Sequence, residues 1–291
     1  MDYWDEHVWT TGMNMYGQLG DGSHTDRDRF VPVTPTYAEA IAAGAEHSLV
    51  MMKDGSVWAS GANSDGQLGD GSTTDMCKFL KVIAGGAEAV AAGREHSMVL
   101  KQDGSVWVTG GNEFGQLGDG SELPRNTFKQ VISHGTKAIA AGSCHSIVLK
   151  QDGSVWVTGQ NQQGQLGHGA TAVQHTFVQV ISSGGMAVAG GCDHSIVLKQ
   201  DGTVWATGRN NFGQLGGESL GGSRSSFVQV ISGGVQAVAA GGWHSMVLKQ
   251  DGSAWATGAN VYGQLGDGSI KEKNVYVAVL LSTQGVCCTN L

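Results

Sequence analysis

The sequence predicts an all-β fold, a closed β-propeller in which residues 1–291 form a single domain. Three observations predict this fold. A unit of about 49 residues repeats along the whole chain, each unit contains four strand-like runs, and 47 of the 291 residues are glycine. Short strands separated by regular turns are typical of several all-β folds, and a long repeat period favours the propeller among them.

The repeat is defined most clearly by the tetrapeptide Gly-Gln-Leu-Gly, which recurs at spacings of 49, 49, 49, 49 and 50 residues. It begins at Gly17, Gly66, Gly115, Gly164, Gly213 and Gly263. A tryptophan recurs in step with it, at Trp9, Trp58, Trp107, Trp156, Trp205 and Trp255. These tryptophans share one strand register, so we expect them to pack in the core.

One unit illustrates the four predicted strands, which cover residues 138–141, 145–150, 154–158 and 177–181. Asp152-Gly153 joins the second run to the third, and Asp-Gly favours the tight turn of a β-hairpin. The first run consists of Ala and Ile, which suits the crowded strand nearest a propeller axis. Four antiparallel strands in each unit are therefore expected to form one blade.

The chain ends fall close to a whole number of repeats, so we predict six blades. In this prediction both termini close the ring. The C-terminal segment supplies the inner and outer strands of the sixth blade, and residues 3–11 supply the middle pair. Such closure leaves no strand edge exposed. A seven-bladed ring is the alternative if the sequence is part of a longer chain.

The composition argues against several classes of function. The net charge is −8 and the basic residues are dispersed, so an electrostatic grip on nucleic acid is not expected. The apolar runs are too short for a membrane span, since a helix needs roughly 20 apolar residues to cross a bilayer. No secretory signal is visible, and the five cysteines form no CxxC pair. Free thiols favour an intracellular location without assigning one.

The other repeated residues are interpreted as structural, so no catalytic, cofactor or metal site is predicted. Gly-Gln-Leu-Gly lacks the lysine of a phosphate loop, and the following Asp-Gly-Ser lacks the spacing of a calcium loop. A histidine recurs before serine in every intact unit, and we expect it to make a hydrogen bond that orders its own loop. These loop histidines are His47, His96, His145, His194 and His244.

The two residues between glycine and this histidine vary from unit to unit, whereas the residues around them repeat. Positions that differ between near-identical blades are expected to lie on a binding surface, because the positions that maintain the fold are repeated. Trp and Arg are also frequent anchors of protein interfaces. The candidate interaction face comprises Glu46, Arg94, Glu95, Cys144, Cys192, Asp193 and Trp243. The two cysteines are expected to be free. The loop over residues 217–224 is a second irregularity, and we interpret it as a lengthened turn.

Three segments of the unit carry a family resemblance. They are Ala-Gly-x-x-His-Ser, Asp-Gly-Ser-Val-Trp and Gly-x-Asn-x-x-Gly-Gln-Leu-Gly, and together they resemble the repeat of the regulator of chromosome condensation family over nearly the full chain. The resemblance implies a ring-shaped propeller, commonly seven-bladed in that family. It implies the function only weakly, because one fold supports many functions.

We therefore expect a non-catalytic scaffold that binds a protein partner through one propeller face and needs no cofactor. Guanine-nucleotide exchange on a small GTPase, the activity of the family's founding member, is one alternative. A secreted enzyme inhibitor or a lectin-like propeller is another. Ultraviolet-B sensing, which a related plant propeller performs with clustered tryptophans, is disfavoured because Gly242-Trp243-His244-Ser245 offers one tryptophan without the accompanying arginine.

Overall fold

The computed structural model describes residues 7–217 and 221–280, and in these ranges the chain is all β, with 22 strands and no helix. The first two strands, β1 (His7–Gly12) and β2 (Arg27–Thr36), pair with each other. The remaining strands form five four-stranded sheets, which we number blade 1 to blade 5. No helix in the described ranges is long and apolar enough to cross a membrane.

In each blade the four strands follow one another in sequence order and every pair is antiparallel. Blade 1 contains β3 (Ala38–Ala43), β4 (His47–Met52), β5 (Val57–Gly61) and β6 (Met76–Ile83). Blade 2 contains β7 (Ala87–Ala92), β8 (His96–Lys101), β9 (Val106–Gly110) and β10 (Arg125–Ile132). Blade 3 contains β11 (Thr136–Ala141), β12 (His145–Lys150), β13 (Val155–Gly159) and β14 (Gln174–Ile181).

The last two blades repeat this order. Blade 4 contains β15 (Gly185–Gly190), β16 (His194–Lys199), β17 (Val204–Gly208) and β18 (Arg224–Ile231). Blade 5 contains β19 (Val235–Ala240), β20 (His244–Lys249), β21 (Ala254–Gly258) and β22 (Lys273–Ala278). The predicted β-propeller architecture is confirmed, and the predicted bounds of β12 are those of the structure.

The β1–β2 sheet corrects one part of the predicted ring closure. Its outer strand, β2, comes from the N-terminal part of the chain, whereas the C-terminal segment was expected to supply it. The repeat explains the difference. In every blade a Gly-Gln-Leu-Gly loop connects the third strand to the outer strand, and β1 is connected to β2 in the same way. The inner strand and the rest of the predicted closure fall on residues 1–6 and 281–291, outside the described residues.

The hydrophobic core lies between blades rather than within each blade. Met98, Leu100 and Val106 of blade 2 are fully buried against Val148 and Trp156 of blade 3. Blades 3 and 4 form the equivalent layer, as do blades 4 and 5. Each buried Leu or Val side chain contributes roughly 2 kcal/mol of hydrophobic stabilisation. Packing between blades therefore holds neighbouring repeats together.

The repeated tryptophans are half-buried, so the expectation of core packing is only partly met. In blade 3 the backbone of Trp156 lies opposite Val148 of the neighbouring strand. In blade 2 the Nζ atom of Lys101 lies 4.3 Å from the centroid of the Trp107 ring. The equivalent lysine lies over the tryptophan ring in blades 4 and 5, and such a cation–π contact is worth about 0.5–1 kcal/mol at an exposed site.

Candidate interaction rim

The loops after the five inner strands lie at one mouth of the central channel. We call these loops, together with the starts of the loops that follow each third strand, the rim. In each inner loop the glycine packs against the histidine three residues later. A Cβ atom on Gly142 would overlap the His145 ring and the carbonyl oxygen of Gly191 in the next blade. The repeated Gly-x-x-His spacing is therefore imposed by a close contact between blades.

The repeated histidine bonds to the next blade and not to its own loop, which corrects the sequence expectation. His145 Nε2 lies 2.9 Å from Ser195 Oγ, and this hydroxyl donates to the carbonyl oxygen of Gln165 at 2.7 Å. Because the hydroxyl has one proton and gives it to the carbonyl, the imidazole must donate through Nε2. The equivalent bonds join His47 to Ser97, His96 to Ser146 and His194 to Ser245.

Four of these histidines are completely buried, and burial lowers the pKa of each imidazole. The pKa is lowered to about 4 in His47 and His194, and to about 3 in His96 and His145. Each Nδ1 atom is buried without a hydrogen-bond partner in the described part of the chain. His244, in blade 5, is only partly buried. No group of three or more potential metal ligands occurs among the described residues.

The first variable residue of each inner loop faces the channel and is held by a backbone ladder. The amide of Arg94 donates to Ser143, that of Ser143 to Cys192 and that of Cys192 to Gly242, at 3.0, 3.3 and 3.0 Å. The channel mouth is a cavity of about 490 Å³, lined mainly by Gly and Ala. Arg94 supplies the charged side chain there, and it is exposed.

The second variable residue turns outward toward the loop that follows a third strand. Trp243 is 36% exposed and packs edge-on against Phe212 of blade 4, with ring centroids 5.1 Å apart. The Arg209 guanidinium lies 4.7 Å from the Trp243 ring centroid, and its Nη1 atom lies 3.4 Å from Asp193 Oδ2. We call these four residues the aromatic cluster.

Sequence reasoning named Trp243 and Asp193 but missed their partners Arg209 and Phe212. Both lie in the Gly-x-Asn-x-x-Gly segment, at positions that vary between repeats just as the inner-loop pairs do. The same comparison of repeats, applied to this second loop, would have found them. The rim therefore combines variable positions from two loops of adjacent blades.

The rim of blades 1 and 2 is acidic. Arg94 Nε lies 3.2 Å from Glu95 Oε1, and the Arg94 side chain is exposed whereas that of Glu95 is half-buried. Burial raises the pKa of the Glu95 carboxyl. Arg94 opposes this rise, whereas the carboxylates of Asp65, Glu113 and Glu46 reinforce it. Since these charges act on one another, Glu46 and Glu95 lie on the same arc of the rim as Asp65 and Glu113.

The two cysteines of the candidate interaction face differ in their exposure to solvent. Cys144 is only 8% exposed, and burial raises the pKa of its thiol to about 11, so it is an inert packing residue and not an exposed member of the face. A small apolar residue fits there because Cys behaves as a buried hydrophobe. Cys192 is half-buried at the channel mouth, and both thiols are free. Residues 218–220 of the 217–224 loop lie outside the described residues.

The Gly-Gln-Leu-Gly loops are fixed by internal hydrogen bonds. The Asn112 side chain accepts from the amide of Leu117 at 3.0 Å and donates to the carbonyl oxygen of Ser121 at 2.9 Å. Asp119 accepts from the Ser121 amide at 3.0 Å and pairs with Arg125 of the outer strand. The repeated aspartate is thus occupied by protein donors, which supports its structural interpretation.

Two family models, each described as a regulator of chromosome condensation (RCC1) repeat, match the chain. One matches residues 39–67, 88–116, 137–165, 187–214 and 235–264. The other matches residues 5–51, 54–100, 152–198 and 201–248. The protein is therefore a repeat propeller, in which the blades share one backbone framework and differ on one rim. The matched segments cover well over half of the sequence, so the chain belongs to the RCC1 repeat family.

Solved structures support the same fold. A crystal structure of human WBSCR16 is similar with a TM-score of 0.81 at 22% identity, over 94% of this chain and 78% of that one. A structure of Prp20p from Saccharomyces cerevisiae gives a TM-score of 0.69 at 17% identity, over 98% and 88%. Yeast RCC1 (Prp20) bound to Kap60 gives 0.67 at 18% identity, over 96% and 84%. The search of curated proteins finds no match.

Proposed function

We propose that this protein is a non-catalytic scaffold that binds a protein partner through the rim. The observation that carries the proposal is the aromatic cluster, in which a partly exposed Trp243 is fixed between Arg209 and Phe212. A rigid aromatic side chain beside an arginine is typical of interface anchors, because little conformational entropy is lost when it is covered.

The likeness to Prp20 is consistent with a role in protein binding. The yeast protein has been solved bound to Kap60, and its binding properties to Gsp1p and histones are described with its structure. At 17–18% identity the likeness to this chain extends to the fold. The particular partner is therefore proposed from the rim of this chain and not transferred from yeast.

The test compares two aromatic truncations in affinity capture from the native source. Trp243→Ala should weaken capture of the partner by at least tenfold, since truncating a central aromatic anchor costs about 2 kcal/mol or more. Phe30 in β2 is 67% exposed and lies away from the rim, so Phe30→Ala is the matched control and should bind normally. Both variants should change the free energy of unfolding by less than about 1 kcal/mol.

Two results would overturn the proposal. One is normal capture by Trp243→Ala, which would remove the rim from the interface. The other is an assay in which this protein accelerates the release of labelled GDP from a small GTPase. That result would favour guanine-nucleotide exchange over a scaffold role.

A further inference from the structure

The rim contains a cavity of about 180 Å³ between blades 1 and 2, where the inner loop of blade 2 meets the loops that follow β5 and β9. Four carboxylates line it, those of Asp65, Glu95, Glu113 and Glu122. Phe114 and Pro124 supply an apolar wall. A concave site with acidic groups beside an apolar wall matches one kind of side chain, a charged head on an apolar stem.

In this cavity the charge of Glu95 is less well compensated than the charges of the aspartates in the hairpins at the opposite rim. At the opposite rim, the side-chain and backbone hydrogen bonds from Ser105 lower the pKa of Asp103. In the cavity the pKa of Glu95 is raised, by burial first, against the opposing charge of Arg94. His175 is a further basic neighbour, with Nε2 3.5 Å from Glu122 Oε1. The cavity therefore has an excess of negative charge that a cation would relieve.

A buried polar group at the cavity indicates what else the ligand carries. Gln116 is 2% exposed and lines the cavity, and its side-chain oxygen accepts from the amide of Phe114 at 2.9 Å. Its NH₂ group has no hydrogen-bond partner among the residues that the structure describes. An amide donor that the protein leaves unpaired at the cavity wall favours a ligand with an acceptor such as a peptide carbonyl.

The cavity and the aromatic cluster belong to one continuous arc. The thiol of Cys144, in blade 3, is influenced by the charges of Glu95 and Glu113 on one side and of Asp193 on the other. Asp193 contacts Arg209, which lies over Trp243. An extended segment lying on this arc would meet acidic groups in blades 1 and 2 and aromatic rings in blades 4 and 5.

We infer that the cavity between blades 1 and 2 binds a lysine or arginine side chain of a basic peptide segment in the partner. The stem lies on Phe114 and Pro124, the charged head lies among the four carboxylates, and the segment continues toward Trp243. This inference rests on the proposed function and specifies the chemistry of the partner. The charge of the cavity selects a basic segment over an acidic one, because unpaired like charges oppose binding.

The test measures the fluorescence polarisation of a labelled hexalysine peptide at physiological salt, with labelled hexaglutamate as the peptide control. The double variant Glu95→Gln/Glu113→Gln should weaken hexalysine binding at least tenfold. Glu39 and Glu88 are exposed on the inner strands β3 and β7, so Glu39→Gln/Glu88→Gln removes equal charge outside the cavity. This control should weaken binding by less than about twofold, because separated exposed charges are screened.

A neutral variant separates the cavity from its general electrostatic field. Phe114→Ala keeps the charge and removes the apolar wall, so we expect hexalysine binding to weaken severalfold. The inference is overturned if hexalysine does not bind, if both double variants weaken binding equally, or if Phe114→Ala has no effect. None of these results would alter the capture measured with Trp243→Ala, so the proposed function is tested separately.

Discussion

At the scale of single residues, the histidine-to-serine bond between blades is the most informative feature. Each bond buries two polar groups and satisfies a third, the carbonyl of a Gly-Gln-Leu-Gly glutamine. Buried polar groups that lose a partner cost about 1–3 kcal/mol. The repeated histidine is therefore a connector between neighbouring blades, and its role is the same in each described pair.

His145→Ala should lower the free energy of unfolding by about 2 kcal/mol or more, because Ser195 loses a buried partner and the ring leaves a cavity. The measurement is urea denaturation. His244→Ala is the matched control, since that ring is only partly buried and should cost less. Equal losses from the two substitutions would contradict the role assigned to the bond.

The sequence predicted that these histidines are structural but not where they bind. Their periodicity requires a role that every repeat shares, which periodicity can show. The partner lies 50 residues away, in the next repeat, at the same position as the serine beside the histidine itself. A repeat pattern cannot distinguish a contact within one unit from the same contact between units, so the bond was assigned to the wrong loop.

At the scale of elements, the loop that follows each third strand combines a fixed frame with a variable surface. Its buried asparagine and leucine are repeated, and the two residues that follow the asparagine differ from blade to blade. The strands could be predicted because their alternation and their Asp-Gly turns are local. The cluster of Arg209 with Trp243 could not, because it joins two loops of different blades.

Asn112→Ala should lower the free energy of unfolding by about 2–3 kcal/mol, since Asn112 is 1% exposed and holds both ends of its loop. Limited proteolysis should also cleave the loop over residues 112–124 earlier than in the native protein. Asn126 is exposed and makes one side-chain bond, to Gly71, so Asn126→Ala serves as the control. Unchanged stability and cleavage in Asn112→Ala would show that the loop does not depend on its asparagine.

At the scale of the whole molecule, the buried histidines should make the propeller sensitive to mild acid. Their folded pKa values of about 3 to 4 lie below the unfolded value of 6.5, so the unfolded chain binds more protons between these limits. Stability is therefore complete above pH 6.5 and falls as the pH decreases. The slope for one group is about 1.4 kcal/mol per pH unit, or roughly 2 kcal/mol for each histidine between pH 6.5 and 5.

Urea denaturation at pH 6.5 and pH 5 measures this effect. His145→Gln should show a smaller loss over the interval than the native protein, by about 2 kcal/mol, whatever its stability at pH 6.5. The aspartates with lowered pKa values titrate below pH 4 and do not contribute in this window. A stability that does not change between pH 6.5 and 5 would contradict the burial of neutral imidazoles.

The architecture of the whole molecule was predictable because the repeat determines the number of strands per unit. Stacking of such four-stranded units gives a propeller. The origin of the outer strand in the β1–β2 sheet was assigned to the wrong end of the chain. A repeat unit can be taken to begin at any of its four strands. The alignment of the chain ends did not include the long connection between the third strand and the outer strand of a blade. The loop geometry in the structure resolves this point.

The central claim is that the rim, and not the shared scaffold, contacts a protein partner. Hydrogen–deuterium exchange of the complex with the captured partner tests it most directly, because backbone amides covered by the partner exchange more slowly. We expect protection over residues 94–96, 209–213 and 242–244, and no change in the hairpins at residues 102–105 and 200–203 of the opposite rim. Protection confined to those hairpins, with unchanged exchange around Trp243, would contradict the account.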